Sequence, residues 1–401
     1  AEMEAMPWPE GHTVTSGVTS LTDSDTHEGQ LARLSNSSDG SEEPSPVSPG
    51  EVTLNFSEER SASSYSRAIQ QGMVAIAERW GASTVFMGED MEVAGAFGMN
   101  IPLKAAGQGD LLLDMPLSEA IIIHSATGAA LGGMRPVAEI QFGGFAALAM
   151  NPLINNAAQL RWRWGADVPM VVRIPLGAKT RSGPFHANMI ESWFLNDPGL
   201  VICFPSNPQD AYDLLVEAAD LPDPVLFLEH IGMYGLRGGL TGWGDNINQV
   251  IDKQGILNHL DSGSSTYKIG KAATVRGGSD ATIVTYGAMV HVALKAAEAV
   301  ASDGFEVEVI DLRTIHPLDV ETCVKSVKRT GRLMVLQEAQ YTGAFGHTVS
   351  SRIQEETFWS LEAPPVVIGA LDTPVPFSPP LEDHTIPDVG LISAHLRNML
   401  G

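Results

Sequence analysis

Cysteine, positive charge and long apolar runs are all scarce in this 401-residue sequence. Its two cysteines, Cys203 and Cys323, exclude a disulfide framework and a cysteine-rich zinc site. Lys and Arg number 24 against 48 Asp and Glu, which argues against nucleic acid or anionic membranes as partners, because neutralising phosphates requires basic residues. No apolar run reaches the roughly 18 residues of a spanning helix, and the acidic N-terminus does not resemble a signal peptide. The sequence therefore predicts a soluble intracellular protein, of the cytoplasm or an organelle matrix.

Residues 1–60 differ in composition from the rest of the chain. They hold 12 acidic residues and 2 Arg, a net charge of 2 − 12 = −10, and are punctuated by Ser, Pro and Gly. Such a segment cannot bury enough apolar surface to offset the entropy lost on ordering. We therefore expect a flexible tail, or a linker to a preceding polypeptide, since the chain begins with Ala rather than Met.

From residue 61 onward, helical and strand patterns alternate. Apolar residues at helical spacing, Ile69, Met73 and Ile76, predict a first helix with Ser63 or Ser64 as its cap. The predicted strands are "STVFMGED", "RPVAEIQF", "VPMVVRIP", "LVICFP", "PVLFLE", "DATIVTYGAMV", "FEVEVIDLRTIHPLD" and "RLMVLQEAQ". The predicted helices between them include "EAIIIHSATGAALGG", "NPLINNAAQLRWRWG", "NPQDAYDLLVEAAD" and "HVALKAAEAVASDG". This alternation indicates an α/β protein with doubly wound parallel sheets, in two domains at 61–245 and 265–401 joined by a linker at 246–264.

Short catalytic motifs are mostly absent. The glycine-rich strings "GAFGMN" (95–100) and "TGAFG" (342–346) match neither the dinucleotide fingerprint nor the Walker pattern, so turns are the better interpretation. The sequence contains no G-x-S-x-G, H-E-x-x-H or C-x-x-C. Simple serine-hydrolase and zinc-enzyme interpretations therefore lose their support.

The most informative string is "DMPLSEAIIIHSATGAALGGMRPVAEIQFGGF", residues 114–145. It resembles the β subunit of the thiamin-diphosphate-dependent 2-oxoacid dehydrogenases, the E1 component of pyruvate, branched-chain 2-oxoacid and acetoin dehydrogenase complexes. The resemblance continues over about 61–400 through "LRWRWG", "HANMIESWFLNDPGLVICFPSNPQDA", "VTYGAMVHVALKAAE", "VIDLRTIHPLD" and "LDTPVPFSPPLE". It implies a transketolase-like pyrimidine-binding domain followed by a transketolase C-terminal-like domain.

Four residues of the 114–145 string are candidates for cofactor binding. Glu119, in "PLSEA", matches the glutamate that hydrogen-bonds the aminopyrimidine N1′ of thiamin diphosphate and so activates its C2 carbon; taken alone, it would be an acid favouring a helix N-terminus. Burial would favour the protonated form of such a carboxyl group, which suits proton sharing with N1′. Leu117 would face the cofactor from the same bend. Phe145 matches the aromatic residue that packs on the aminopyrimidine, and Gln141 lies at the same strand end.

His186, in "TRSGPFHANMIESW", matches the active-site histidine of the family's β subunit. A lone loop histidine is usually a solvated residue, but this one follows Gly183 and Pro184 in a loop after a strand, where active-site residues are common. The resemblance implies that it binds the substrate carboxylate or thiamin intermediates and assists transfer to a lipoyl group. Lys179 and Arg181, in the same loop, could attract anionic substrates or equally be surface residues.

Metal binding is expected to be divided between subunits. The superfamily holds Mg²⁺ and the diphosphate with a G-D-G motif, and "GQGDL" (107–111) and "GWGDN" (242–246) both lack the closing Gly. Magnesium would therefore be held mainly by an α partner. The resemblance also implies a potassium ion on backbone carbonyls, at positions corresponding here to Met170, Ala218, Ala219 and Asp223.

The resemblance implies the β part of an E1-type 2-oxoacid dehydrogenase that decarboxylates a 2-oxoacid on thiamin diphosphate and passes the acyl group to lipoyl-E2. The expected assembly is α2β2, with a separate or fused α segment. A thiamin-dependent carboligase or acetoin-cleaving enzyme is an alternative, and a non-catalytic structural or regulatory subunit is another. His124, where relatives carry a small residue, would alter the pocket or point into a subunit contact. The identity of the 2-oxoacid stays open.

Overall fold

The computed structural model describes residues 62–235, 247–264 and 266–401. The acidic segment 1–60 and "GWGDN" before Ile247 lie outside these ranges, so the expectation of a flexible tail stays a prediction. Within them, no helix is both long and apolar enough to cross a membrane.

Fourteen strands and eleven α-helices alternate along the described chain. The strands are β1 (Ser63–Ser64), β2 (Thr84–Gly88), β3 (Leu112–Asp114), β4 (Arg135–Glu139), β5 (Val171–Leu176), β6 (Val201–Cys203), β7 (Val225–His230), β8 (Asn248–Gln249), β9 (Ala273–Arg276), β10 (Ala281–Thr285), β11 (Val307–Asp311), β12 (Thr314–His316), β13 (Leu333–Gln340) and β14 (Val366–Ala370). The helices are α1 (Tyr65–Trp80), α2 (Ile101–Ala105), α3 (Glu119–Leu131), α4 (Leu160–Trp164), α5 (Pro208–Asp220), α6 (Gln254–Asp261), α7 (Met289–Ala301), α8 (Val320–Thr330), α9 (Phe345–Thr357), α10 (Pro379–Thr385) and α11 (Val389–Leu400).

Six strands of the N-terminal half and β12 from the C-terminal half build a seven-stranded sheet in the order β12-β6-β7-β5-β4-β2-β3. All its pairings are parallel except that of β12 with β6. Every residue of β5 and β7 is buried, as expected for central strands covered by helices on both faces. Because the strands run parallel, their carboxyl ends meet along one edge, where ligand sites of such sheets form.

The C-terminal half builds a five-stranded sheet in the order β14-β13-β10-β11-β9, parallel except for β9. The two sheets confirm the predicted doubly wound α/β fold, with an antiparallel strand at one edge of each. The predicted strand and turn in "FEVEVIDLRTIHPLD" proves to be two strands in different sheets. After β11 the chain leaves the five-stranded sheet, and β12 pairs with β6 of the other sheet. The C-terminal domain therefore contributes an edge strand to the sheet of the N-terminal domain.

Local signals account for the helix ends. Ser64, one of the two predicted caps, accepts a 3.3 Å hydrogen bond from the backbone N–H of Arg67 at the start of α1. Asn207 caps α5 in the same way through the N–H of Asp210 at 3.0 Å. The predicted helix "NPLINNAAQLRWRWG" is not continuous. It contains a π-helical turn at Pro152–Asn156 and becomes α-helical only in α4, which is consistent with the missing proline N–H and the low helix propensity of Asn.

Residues 246–264, expected as a linker, carry regular structure where they are described. The strand β8 pairs with β1, and α6 packs on α5 with Ile256 fully buried. The helix contributes to the core of the N-terminal half because its apolar face covers α5.

Candidate active site

Glu119 is the first residue of α3 and lies at the carboxyl edge of the seven-stranded sheet. Its side chain is 5% exposed, and among the described residues no hydrogen-bond donor contacts its carboxylate. The side chain of the preceding Ser118 makes no capping hydrogen bond. Glu119 is the acidic residue in the first turn of α3. A buried carboxyl group without a donor is suited to a ligand that brings one.

A second acid, which the sequence analysis did not single out, lies near Glu119. Glu89 directly follows β2 and is buried. Burial raises the pKa of the Glu89 carboxyl group, and the negative charges of Glu119, Asp90 and Glu139 raise it further. The signal was present in the sequence, because "STVFMGED" places acids at the end of a buried strand, where parallel strands bring their termini together.

The structure brings His186 and Phe145 together in a cluster of aromatic rings. The His186 ring centroid lies 4.5 Å from that of Phe142, 5.6 Å from that of Phe145 and 4.8 Å from that of Phe185. Close backbone contact makes this possible: a Cβ on Gly144 would stand 2.4 Å from the carbonyl oxygen of Phe185. The glycines of "QFGGF" therefore let the histidine loop lie directly on the strand end.

The other two expected cofactor residues are placed differently. Gln141 lies beside the acids, with its Nε2 3.5 Å from Oδ2 of Asp90. Leu117 is 82% exposed and makes no packing contact with the apolar core of the described residues. In this chain Leu117 points to solvent from the bend before α3, so it can face a cofactor only from an open side of the site.

His124 lies on the outer side of α3. Its ring is exposed, and Nδ1 accepts a hydrogen bond of 3.2 Å from Nδ2 of Asn156. His124 was expected either to alter the pocket or to point into a subunit contact. Its position on the exposed surface of α3 favours the second expectation. Ile121, one helical turn before, is also 48% exposed, so this face of α3 is partly apolar.

Three of the four expected potassium carbonyls accept hydrogen bonds within the chain. The carbonyl of Met170 accepts from the N–H of Val225 at 2.9 Å, and that of Ala218 accepts from the N–H of Leu221 at 3.3 Å. The carbonyl of Ala219 accepts from the guanidinium of Arg135 at 2.5 Å. A carbonyl oxygen has two lone pairs, so each retains one acceptor position. The guanidinium of Arg135 adds a positive charge beside the Ala219 carbonyl, and the potassium site stays a prediction.

A buried ionic network, which sequence reasoning missed, links the neighbouring strands β4, β5 and β7. Arg173 on β5 donates to Glu139 on β4 at 2.6 Å and to both oxygens of Glu229 on β7 at 2.7 and 2.8 Å. Glu229 also accepts from the hydroxyl of Tyr234. All three charged side chains are at most 1% exposed, and burial raises the pKa of Glu139 while Arg173 opposes the rise. An Arg inside the apolar run "VVRIP" was the available signal.

Two family models define the class of this chain. The transketolase pyrimidine-binding domain matches residues 61–235, and the transketolase C-terminal domain matches residues 270–392, so the fold is that of the transketolase-like proteins. A solved structure described as a split-gene transketolase, an inactive β4 tetramer, superposes with a TM-score of 0.62 over 84% of this chain and 98% of its own. Its sequence identity is 18%, so it supports the fold alone.

Sequence relatives narrow the class. The chain is 38% identical to the β subunit of an acetoin:2,6-dichlorophenolindophenol oxidoreductase of Cupriavidus necator, over 78% of this chain and 87% of that protein. It is 37% identical to the pyruvate dehydrogenase E1 β subunit of Bacillus subtilis, over 74% and 86%. With the 2-oxoisovalerate dehydrogenase β subunit of the same organism it shares 35% identity, over 84% and 99%. The chain belongs to the family of 2-oxoacid dehydrogenase E1 β subunits, which confirms the resemblance.

The residues present fit the pyrimidine half of thiamin diphosphate. The carboxylate of Glu119 lacks a donor among the described residues, and a protonated N1′ would supply one. Phe145 and Phe142, whose ring centroids lie 5.7 Å apart, offer apolar surface for an aromatic ring such as the aminopyrimidine. The full chain lacks the G-D-G motif that holds the diphosphate half in this superfamily.

Proposed function

We propose that this chain supplies the β half of an E1-type active site, which decarboxylates a 2-oxoacid on thiamin diphosphate and transfers the acyl group to a lipoyl-bearing E2. The observation that carries the proposal is the buried Glu119 carboxyl group at the start of α3, without an internal donor and next to a second acid. When bound, thiamin diphosphate supplies a C2 carbanion and an electron sink for decarboxylation.

Glu119 would hold and share a proton with N1′ of the aminopyrimidine. Its low exposure limits competition from water, and its negative charge is one of the causes that raise the pKa of the Glu89 carboxyl group nearby. Because the carboxyl group stands on the first turn of a helix, its position is fixed by α3 rather than by a flexible loop. A general acid–base group needs this kind of fixed geometry to act at a single nitrogen.

His186 would act on the substrate side of the site. Its Nδ1 lies 3.3 Å from the carbonyl oxygen of Ser182, so a proton on Nδ1 would be donated there. In that tautomer Nε2 is an acceptor, able to take a proton from a thiol or hydroxyl of a bound intermediate. Phe142, Phe145 and Phe185 surround the ring and limit its movement. Lys179 and Arg181 are paired with acids of α10, which removes them as primary anion-binding groups.

The remaining half of the site would come from an α subunit, or a fused α segment, in an α2β2 assembly. The lack of a G-D-G motif supports this division, since Mg²⁺ and the diphosphate need ligands that the chain does not carry. The expected potassium ion would use the second lone pairs of the Met170, Ala218 and Ala219 carbonyls, the last of which also accepts from Arg135.

The test is to assemble the chain with a family α subunit that carries G-D-G and to supply thiamin diphosphate and Mg²⁺. Pyruvate, 2-oxoisovalerate and acetoin are offered in turn, each with and without lipoylated E2 domain. We expect CO₂ release from a 2-oxoacid and acylation of the lipoyl group, both lost in Glu119→Gln. Carboligation products without lipoyl acylation would favour the carboligase alternative. Cofactor binding without turnover of any substrate would favour a non-catalytic subunit.

A further inference from the structure

The loop that carries His186 contains unusual backbone conformations. Lys179 and Arg181 have φ values of +71° and +60°, in the left-handed region, and flank a single residue. Gly177 and Gly183, at +93° and +74°, adopt the same region where glycine bears little cost. A non-glycine residue there costs on the order of 1–3 kcal/mol and persists only when its surroundings impose it. Two such residues in one short loop indicate that something outside the loop holds it.

The holding groups lie on α10 of the C-terminal domain. Glu382, fully buried, accepts from the backbone N–H of Lys179 at 3.0 Å and from Nη1 of Arg181 at 2.5 Å. Its neighbour Asp383 accepts from Nζ of Lys179 at 2.5 Å and from both terminal nitrogens of Arg181 at 2.9 and 3.1 Å. The two acids thus bind the backbone and side chains of the two strained residues.

Contacts on either side of the strained pair bring the loop against the same domain. At its root, the N–H of Ala178 donates to Oε1 of Glu338 at 2.7 Å, and the other oxygen of Glu338 lies 2.6 Å from Nε2 of the buried His230. Further on, a Cβ on Gly183 would stand 2.2 Å from the ring of Phe377, so this residue too is in direct contact with the C-terminal domain. His186 follows three residues later.

We propose that Glu382 and Asp383 are positioning residues for His186. By holding Lys179 and Arg181 in left-handed conformation, they fix the path of residues 177–186 and thereby the place of the imidazole among Phe142, Phe145 and Phe185. The C-terminal domain then contributes to the active site through this loop, without touching substrate. The part of the inference that concerns catalysis rests on the proposed role of His186; the part that concerns the loop does not.

The loop is tested first by hydrogen–deuterium exchange of the assembled enzyme without substrate. We call the contacts of Glu382 and Asp383 with Lys179 and Arg181 the clamp. Asp383→Asn weakens the clamp while keeping the shape of an exposed side chain, and we expect exchange of amides in 177–186 to rise about tenfold. Asp383→Glu should restore most of the protection. The matched control is Asp303→Asn, which breaks another exposed Asp–Arg pair of the same domain, with Arg397 at 2.8 Å, and should leave the loop unchanged. Unchanged exchange in Asp383→Asn and in Glu382→Gln/Asp383→Asn would overturn the proposal.

The second test is a double-mutant cycle on acyl transfer to the lipoyl domain. Because a displacement of about 1 Å can cost up to a hundredfold in rate, we expect Asp383→Asn to lower kcat tenfold or more with little change in thermal stability. In a His186→Ala background the same substitution should have no further effect, which a general structural role would not produce. Additive losses would overturn positioning through His186. If His186→Ala itself has full activity, the proposed role of His186 fails, while the exchange result still decides whether the clamp orders the loop.

Discussion

The hydroxyl of Tyr286 donates a hydrogen bond of 2.8 Å to Oε1 of Glu191, across the boundary between the two domains. Tyr286 follows β10 of the five-stranded sheet, and Glu191 lies five residues after His186. Both side chains are buried, and the second carboxyl oxygen of Glu191 has no partner among the described residues. Burial raises the pKa of Glu191 to about 7, and the hydrogen bond from Tyr286 partly opposes the rise. The interface beneath the histidine loop therefore contains a group that titrates near neutral pH.

Stability should consequently fall as pH rises through this range. A carboxyl group with a raised pKa binds its proton more tightly in the folded than in the unfolded chain, so between about pH 4.5 and 7 the folded state holds more protons and the free energy of unfolding decreases with pH. Glu191→Gln removes this dependence, and its stability relative to wild type should improve from pH 5 to pH 8. Urea unfolding at both pH values measures it.

Tyr286→Phe provides the matched comparison for that experiment. It keeps the carboxyl group and removes the donor that lowers its pKa, so the pH-dependent loss should extend to higher pH than in wild type. A difference between wild type and Glu191→Gln that stays constant with pH would show that Glu191 does not titrate in this window.

Replacing Glu119 by Gln should abolish cofactor activation and leave the fold intact. The amide keeps the shape of the side chain but cannot share a proton with N1′, so exchange of the thiamin C2 proton in the assembled enzyme should slow by several orders of magnitude. Glu321→Gln is the control, because Glu321 is an exposed acid in the first turn of α8. Both substitutions remove a favourable helix-terminal charge of about 0.3–1 kcal/mol. Wild-type exchange in Glu119→Gln would contradict the assignment.

Two glycines of the first domain, one crowded and one open, should respond oppositely to alanine. In Gly144→Ala the new methyl group meets the Phe185 carbonyl at 2.4 Å, which forces the histidine loop to move and should destabilise the protein by about 1–3 kcal/mol. Gly128 lies within α3 with no atom within 4 Å of an added Cβ, so Gly128→Ala should stabilise by about 0.5–1 kcal/mol. Thermal unfolding of both variants decides. A tolerated Gly144→Ala would mean that the loop does not need this close approach.

The purified chain alone should bind thiamin diphosphate weakly, with tight Mg²⁺-dependent binding only after an α subunit is added. The reason is the missing G-D-G motif, which leaves the diphosphate and metal without ligands on this chain. Calorimetric titration with and without Mg²⁺ tests this. Micromolar, Mg²⁺-dependent binding by the chain alone would refute the division of the site between subunits.

Much of the secondary structure followed from local pattern. The spacing of apolar residues and the identity of capping residues depend only on neighbouring positions in the chain. The sequence could therefore place α1, with its Ser64 cap, and the buried strands β5 and β7. The helix predicted over 151–165 was wrong in its first half, because Pro152 and the asparagines oppose the continuous helix that the apolar spacing suggested. The strand β12 could not be assigned to its sheet, since pairing with β6 joins residues more than 100 positions apart.

The sequence by itself determined the family and singled out Glu119 and His186 as candidate site residues. Each lies in a contiguous string that can be compared with the family without knowledge of the fold. Only the tertiary structure decided which groups surround them. It brought Glu89 towards Glu119, put Leu117 and His124 on exposed surfaces, and occupied the carbonyl of Ala219 with Arg135. It also paired Lys179 and Arg181 with acids about 200 residues further along the chain. Such contacts depend on where the two sheets lie and on which groups must be paired once buried, and no local pattern encodes either.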